Sequence, residues 1–263
     1  MKFSALLAAL FCACAAWGDE ARAASREFLG FRLLVLENQL ARWNKASALT
    51  YAFVAAPTRF RGARNCGGMA PAEPLLARSR VTRARFAREV KAAFAMWENA
   101  VNVSFREIAD PARADILIGA QTEPRGRAFT NVELDDDDAS GPKGIRRALI
   151  CLNPDLPWKV GFDGDLAVYD LKFTMAHEIG HAIGLDHPSP SGQLMSFRYD
   201  ERHRALQPGD IAGAAALYGR RAPRVDVAGP RIEIPPSSVV SSRPRDAPAL
   251  GLGGDENGAP DAR

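Results

Sequence analysis

The stretch that most constrains this chain runs from Thr174 to Pro188, TMAHEIGHAIGLDHP. His177 and His181 stand four apart, so on a helix of about 3.6 residues per turn they project from one face, one turn apart. Gly184 follows, where a residue free to take positive φ can end a helix and turn the chain back. His187 then returns as a third imidazole. Glu178 lies beside the first histidine without needing to bind what the histidines bind, placed to take a proton from an activated water. The pattern reads H-E-x-x-H-x-x-G-x-x-H. Three histidines form a zinc ligand set, and three protein ligands leave a fourth position open, which separates a catalytic zinc site from a closed structural one. The short H-E-x-x-H core arises by chance in many chains, whereas the extended pattern is far more specific. Its helix also carries an apolar face of Met175, Ile179, Ile183 and Leu185, so it can pack into a core while presenting its histidines.

At these residues the chain resembles the metzincin clan of zinc endopeptidases. Leu194-Met195-Ser196 is similar to the Met-turn that forms a hydrophobic floor under the metal. Pro188 follows the third histidine as in serralysins, where matrixins usually carry serine. Serralysins and astacins place a tyrosine two residues after the Met-turn methionine; here that residue is Phe197, and a phenyl ring cannot ligate zinc. Matrixins place a tyrosine four residues after it, in the wall of the pocket for the side chain following the scissile bond, and Tyr199 stands there. The segment Leu206 to Gly219 is similar to the matrixin closing helix. It departs at Gly209, where that family usually has the first of two aspartates; only Asp210 remains, which puts the family's tether to the mature N-terminus in question. No histidine precedes His177, so the second, structural zinc of many matrixins lacks its imidazole ligands.

The resemblance implies an α/β (α+β) zincin-like fold, with a twisted mixed sheet, a backing helix, the active-site helix and a small C-terminal part that closes the cleft. It implies hydrolysis of internal bonds in peptide or protein substrates, with one zinc on His177, His181 and His187. Glu178 is the general base, Met195 supports the site from beneath, and Tyr199 lines the substrate pocket. Two other classes stay open. One is a secreted zinc-binding adhesion or interaction module without turnover. The other is a hydrolase of a different clan with Glu201 as third ligand in place of His187.

Residues 1–23 read as a secretory signal, with Lys2 as the positive end, Phe3 to Trp17 as the apolar run and Ala21-Arg22-Ala23 as an A-x-A-like cleavage site. No other apolar run could span a bilayer, so the expected product is secreted, extracellular or periplasmic, without stable membrane insertion. The net charge of +3 is spread along the chain and is not interleaved with aromatic residues, so no nucleic-acid partner is expected. A monomer is expected. Residues 24–48 form an extension too short for a folded pro-domain; within it Phe31 to Leu36 is a strand or packing segment and Trp43 an anchor. The metallopeptidase domain is placed at 49–219. It opens with the alternating strand Leu49 to Val54, similar to the L-T-Y strand that opens matrixin catalytic domains. A Gly- and Pro-rich loop from Arg59 to Pro74 follows. A helix over Val81–Asn99 buries Phe86, Val90, Phe94 and Trp97 along one stripe. Strands are expected at Val103–Ile108, Ala114–Gly119, Arg127–Val132 and Ala148–Leu152, and an ordered loop at Pro154–Asp170. The resemblance makes Arg127–Val132 the exposed edge along which a peptide adds as an extra strand. His203, flanked by arginines, is expected on the surface without a role. The Pro-, Ser- and Arg-rich composition of 220–263 predicts a disordered tail without a core.

Two acidic groups are candidates for calcium. Asp135 to Asp138 reads first as a solvated, self-repelling loop and second as an oxygen-ligand loop; Asp163 and Asp165 are the better pair. With the signal removed, Cys66 and Cys151 are the remaining cysteines, and an exported chain enters a compartment where they form a disulfide. Arg64-Asn65-Cys66-Gly67 also resembles the cysteine switch of matrixin pro-domains, but it follows the first domain strand and departs from that motif's residue order. The disulfide is the expected state.

Overall fold

In the computed structural model the described residues are 30–45, 48–135, 144–188 and 192–222. The signal at 1–23, the tail from 223 and Asp136 to Asp138 lie outside them. In chain order the strands and helices are β1 Arg32–Leu33, β2 Val35–Leu36, β3 Gln39–Leu40, β4 Leu49–Phe53, β5 Thr58–Arg59, β6 Gly68–Ala70, α1 Glu73–Ser79, α2 Arg83–Ala100, β7 Phe105–Glu107, β8 Ile116–Gln121, β9 Ala128–Leu134, β10 Ile145–Leu152, β11 Trp158–Lys159, β12 Tyr169–Asp170, α3 Leu171–Ala182, β13 Leu185–Asp186 and α4 Pro208–Tyr218. The fold is mixed α/β. Among the described residues no helix is long and apolar enough to cross a membrane.

The main sheet grows from β8, whose six residues are all buried. One side of β8 pairs in parallel with β10. Its other side is shared between β4, which is parallel and also pairs with β7, and β6, which is antiparallel and leads to β5. On the far side of β10 lies β9, antiparallel, whose second edge pairs with no other strand among the described residues. Because successive side chains on a strand point to opposite faces, Ile116, Ile118, Ala148, Ile150 and Leu152 meet the helices, whereas Leu117, Leu149 and Cys151 join a smaller apolar cluster behind the sheet. Helices α2 and α3 cover the first face. Thr82 caps α2 by accepting from the Arg85 N–H at 3.2 Å, and the expected stripe of Phe86, Val90, Phe94 and Trp97 is at most 2 % exposed. The Trp97 indole N–H donates to the Ala176 carbonyl at 2.9 Å, locking α2 against α3.

Three stretches differ from the sequence reading; one is Pro154–Asp170, expected as a loop, where β11 and β12 pair in parallel. The region from Arg59 to Pro74 is not all loop: β6 joins the sheet, and Pro74 occupies the first turn of α1, where proline's missing N–H costs nothing. The segment from Phe31 to Leu36 is not one strand. Glu37 and Asn38 both take positive φ, 49° and 63°, the backbone of a tight two-residue hairpin turn, so β2 folds back on β3 while β1 pairs with β13.

Candidate metal centre

Helix α3 begins at a cap and ends just before a glycine. One oxygen of the Asp170 carboxylate accepts from the Phe173 N–H at 2.8 Å and the other from the Gly161 N–H at 2.6 Å. A helix continued past Ala182 would carry His187 away from the other two histidines. Gly184, with a φ of 100°, instead reverses the chain into β13 and brings His187 back beside the helix.

The three Nε2 atoms converge. His177 and His187 are 3.1 Å apart, and His181 lies 3.2 Å from each of them. Four bonds of about 2.0–2.1 Å around a tetrahedral zinc leave ligand atoms roughly 3.3 Å apart, so the triangle matches one face of that polyhedron. The Nδ1 atoms of His177 and His181 lie 2.8 Å from the Leu194 and Leu185 carbonyls. A carbonyl can only accept, so these rings carry their proton on Nδ1 and aim a bare Nε2 inward. Burial pushes the His177 pKa well below its ordinary value and that of His181 down to about 4, each helped by a neighbouring imidazole. Burial also lowers His187. Neutral imidazoles with converging lone pairs are the form that binds zinc, and the three residues fit that ion. Among the described residues they are the one such cluster.

Glu178 is buried beside them, 6 % exposed. The Thr130 hydroxyl, on β9, sits 2.7 Å from its Oε2 and 3.0 Å from its carbonyl oxygen. Burial pushes the carboxyl up to about 7, against the Thr130 hydrogen bond, which favours the ionised form. Thr130 escaped the sequence reading. It shares the inward side of β9 with Ala128 and Val132, but only the packing of the paired strands shows which parity faces the helix.

Met195 is buried under the helix, and Gly180 makes that approach possible: a Cβ there would lie 2.2 Å from Met195 Sδ and 3.0 Å from Trp97 Cζ2. The turn is held by Asp210, whose carboxylate accepts from the N–H groups of Leu194, Met195 and Gln207 at 2.9, 3.0 and 2.7 Å. The glycine at 209 has a steric reason, since a Cβ would sit 2.2 Å from the Gly30 carbonyl oxygen. The segment before the domain therefore passes over α4 at the position where a longer side chain would block it. Trp43 and Tyr218 cap the end of α3, the indole N–H donating to the Ala182 carbonyl at 2.8 Å and the phenol to the Ile183 carbonyl at 2.7 Å. These contacts satisfy carbonyls that a helix end leaves without partners.

Phe197 is 82 % exposed and stands edge-on to His187. The Tyr199 ring stacks on Tyr169 at 4.1 Å and meets Phe173 edge-on at 5.1 Å. Glu201 is committed elsewhere than to the histidines: it pairs with Lys159 at 2.6 Å and accepts from the Tyr199 hydroxyl at 2.7 Å. Asp163 is likewise paired with Lys159. His203 is half-buried, not exposed as its arginine neighbours suggested. Cys66 and Cys151 are joined by a disulfide, with Cys151 on the face of β10 turned away from the helices. The contacts of the domain run past Gly219: Arg220 bridges to Val101 and the Arg221 N–H donates to the Ala100 carbonyl at 3.1 Å.

A cleft of about 1060 Å³ runs along β9. Arg127, Tyr169, Phe173, Thr174 and Tyr199 line one end, the histidines, Glu178 and Thr130 the middle, and Leu34 to Glu37 with Arg146 and Arg147 the other end.

The matrixin family model matches residues 75–219, more than half of the chain. Human stromelysin-3 is 30% identical over 168 residues, covering 59% of this chain and 32% of that protein. Human matrix metalloproteinase-19 is 30% identical over 174 residues, covering 60% and 31%. Mouse matrilysin is 30% identical over 142 residues, half of each chain. The chain thus spans about a third to a half of the length of these relatives.

Proposed function

The chain belongs to the matrixin family, and from that premise we propose that it is a secreted zinc endopeptidase cutting internal bonds of peptides or proteins. The observation that carries this reading is the convergence of three Nε2 atoms within 3.2 Å of one another beside a buried carboxylate, all facing a cleft along a strand edge. His177, His181 and His187 would hold the zinc, with Met195 beneath them. Bound zinc supplies Lewis acidity, lowering the pKa of its water from about 15.7 towards ~7 and polarising a carbonyl. Glu178, buried beside the three histidines and held by Thr130, would accept a proton from water and deliver it to the leaving amine. Thr130 holds that carboxylate at the edge strand. The open edge of β9 receives the substrate backbone as an added strand, and Tyr199 walls the recess for a neighbouring side chain.

In this reading residues 1–23 direct export, residues 24–48 precede the catalytic domain, and the domain placed at 49–219 keeps contacts as far as Arg221. The Cys66–Cys151 bridge forms after export, and the protein acts as a monomer. Glu201 as third ligand loses its basis, because its carboxylate is committed to Lys159 and Tyr199. The test is zinc content by elemental analysis together with cleavage of a peptide library, with and without chelator. One zinc per chain and chelator-sensitive internal cleavage are expected. Zinc binding with no cleavage of any peptide would make the chain a binding module instead.

A further inference from the structure

We propose that Lys159 is a positioning residue of the substrate cleft: a built-in cation that, through Glu201, holds Tyr199 against the start of the metal-bearing helix. This rests on the endopeptidase reading for its consequence, though not for its geometry. The Lys159 side chain, 11 % exposed, brings its ammonium to three oxygens: the Asp163 carboxylate, the Asp165 carbonyl at 2.6 Å and Glu201 Oε1 at 2.6 Å. An ammonium has three donors and no acceptor, so this set satisfies it completely. Oxygens gathered in this way also suit a hard metal ion; here the side chain of Lys159 fills the place.

Glu201 passes the constraint on. Its side chain is 8 % exposed. Oε2 accepts from the Gly164 and Asp163 N–H groups at 2.7 and 3.1 Å, a turn that Gly164 permits with a φ of 88°. Oε1 accepts from the Tyr199 hydroxyl at 2.7 Å, and that hydroxyl in turn accepts from the Asp170 N–H at 2.9 Å. Asp170 is the N-cap of α3. Both hydrogen-bonding sides of the phenol are therefore used behind the cleft, and the ring stacked on Tyr169 is what a substrate meets. Where that ring lies depends on where its hydroxyl is held. Removing the lysine charge leaves the Glu201 carboxylate without its cation, held only by the Gly164, Asp163 and Tyr199 donors; a carboxylate so weakened moves to water, and Tyr199 loses its anchor with it.

Lys159→Met keeps the stem and removes the charge; Lys159→Met with Glu201→Gln removes both charges while keeping a hydrogen bond to Tyr199, the amide oxygen accepting from the Gly164 and Asp163 N–H groups and the amide NH2 donating to the phenol oxygen. Zinc content, KM and kcat are measured over peptides that differ in the side chain after the scissile bond, and the ring signals of the four tyrosines are followed by NMR in labelled protein. In Lys159→Met, KM is expected to rise roughly tenfold for the preferred peptides, more than kcat falls. The Tyr169 and Tyr199 ring signals should lose their stacking shift while zinc content holds. The double variant is expected to recover most of both. Unchanged selectivity and ring signals in Lys159→Met overturn the proposal, as does a double variant no better than the single one. If the single variant does not fold, the double variant decides by the same two readouts. A wild-type protein that cleaves nothing sinks the endopeptidase reading, and the ring signals still test this one.

Discussion

From Thr174 to His187 each functional group is placed by one helical turn or by the reversal at Gly184, so the chemistry is local. The frame around it is assembled from both ends of the described chain. Ala41 and Trp43 reach the end of α3 from one side and Tyr218 from the other, while Gly30 passes over Gly209. In the proposed reading the local stretch carries the ligands and the base, and the frame decides how firmly they are held. Changes in the first should therefore abolish chemistry without unfolding the protein, and changes in the second should do the reverse.

The sharpest division comes from Glu178→Ala, which should keep zinc and the folded state while turnover falls by about 10²–10⁴-fold. Near-normal cleavage by this variant, measured beside its metal content, would remove Glu178 from the mechanism. Next in size is the bridge behind the sheet. Replacing Cys66 and Cys151 with alanine should cost about 2–4 kcal/mol in denaturant unfolding, since the bond closes a separation of 85 residues. Activity of the folded fraction should fall only modestly, because Cys151 faces away from the cleft and the bridge reaches it only through Arg64 and Asn65 beside Cys66. Thiol counting on unreduced, denatured protein checks the bond itself, and two free thiols would revive the switch reading.

Gly184→Ala attacks the point where the two regions meet. Its Cβ would sit 2.0 Å from the Ala41 carbonyl oxygen on a backbone at φ 100°, so a loss of about 2–3 kcal/mol is expected. Stability equal to wild type would show that residues 30–45 are not a clamp. The smallest effect should come from the end of the chain. Truncation after Ala222 should shift stability by no more than ~0.5 kcal/mol, whereas truncation after Gly219 also removes the Arg220 and Arg221 contacts and should cost about 1 kcal/mol. Equal melting curves for the two would return the boundary to Gly219.

Much of the candidate site was legible because it obeys short periods. The spacing of His177, His181 and His187, the apolar stripe of α2 and the alternation in β4 are each set within a few residues. Thr130 was missed because it meets Glu178 across 48 positions, and Lys159, on β11, because its partner Glu201 lies in a loop beyond the metal-site helix. Helix α1 was missed for a different reason: Pro74, read as a loop residue, serves its first turn.

By itself the sequence determined three histidines and a glutamate at the spacing of a zinc site, a glycine to turn the chain, and strands enough for a sheet, since backbone geometry alone converts those spacings into directions. Only the tertiary structure decided which hydroxyl holds Glu178, that a lysine fills the oxygen cluster near Asp163, and that Gly180 and Gly209 are small because Met195 and Gly30 press on them. Contacts between distant segments leave no period in the chain, because the separation between their partners is set by packing and not by the geometry of any one element.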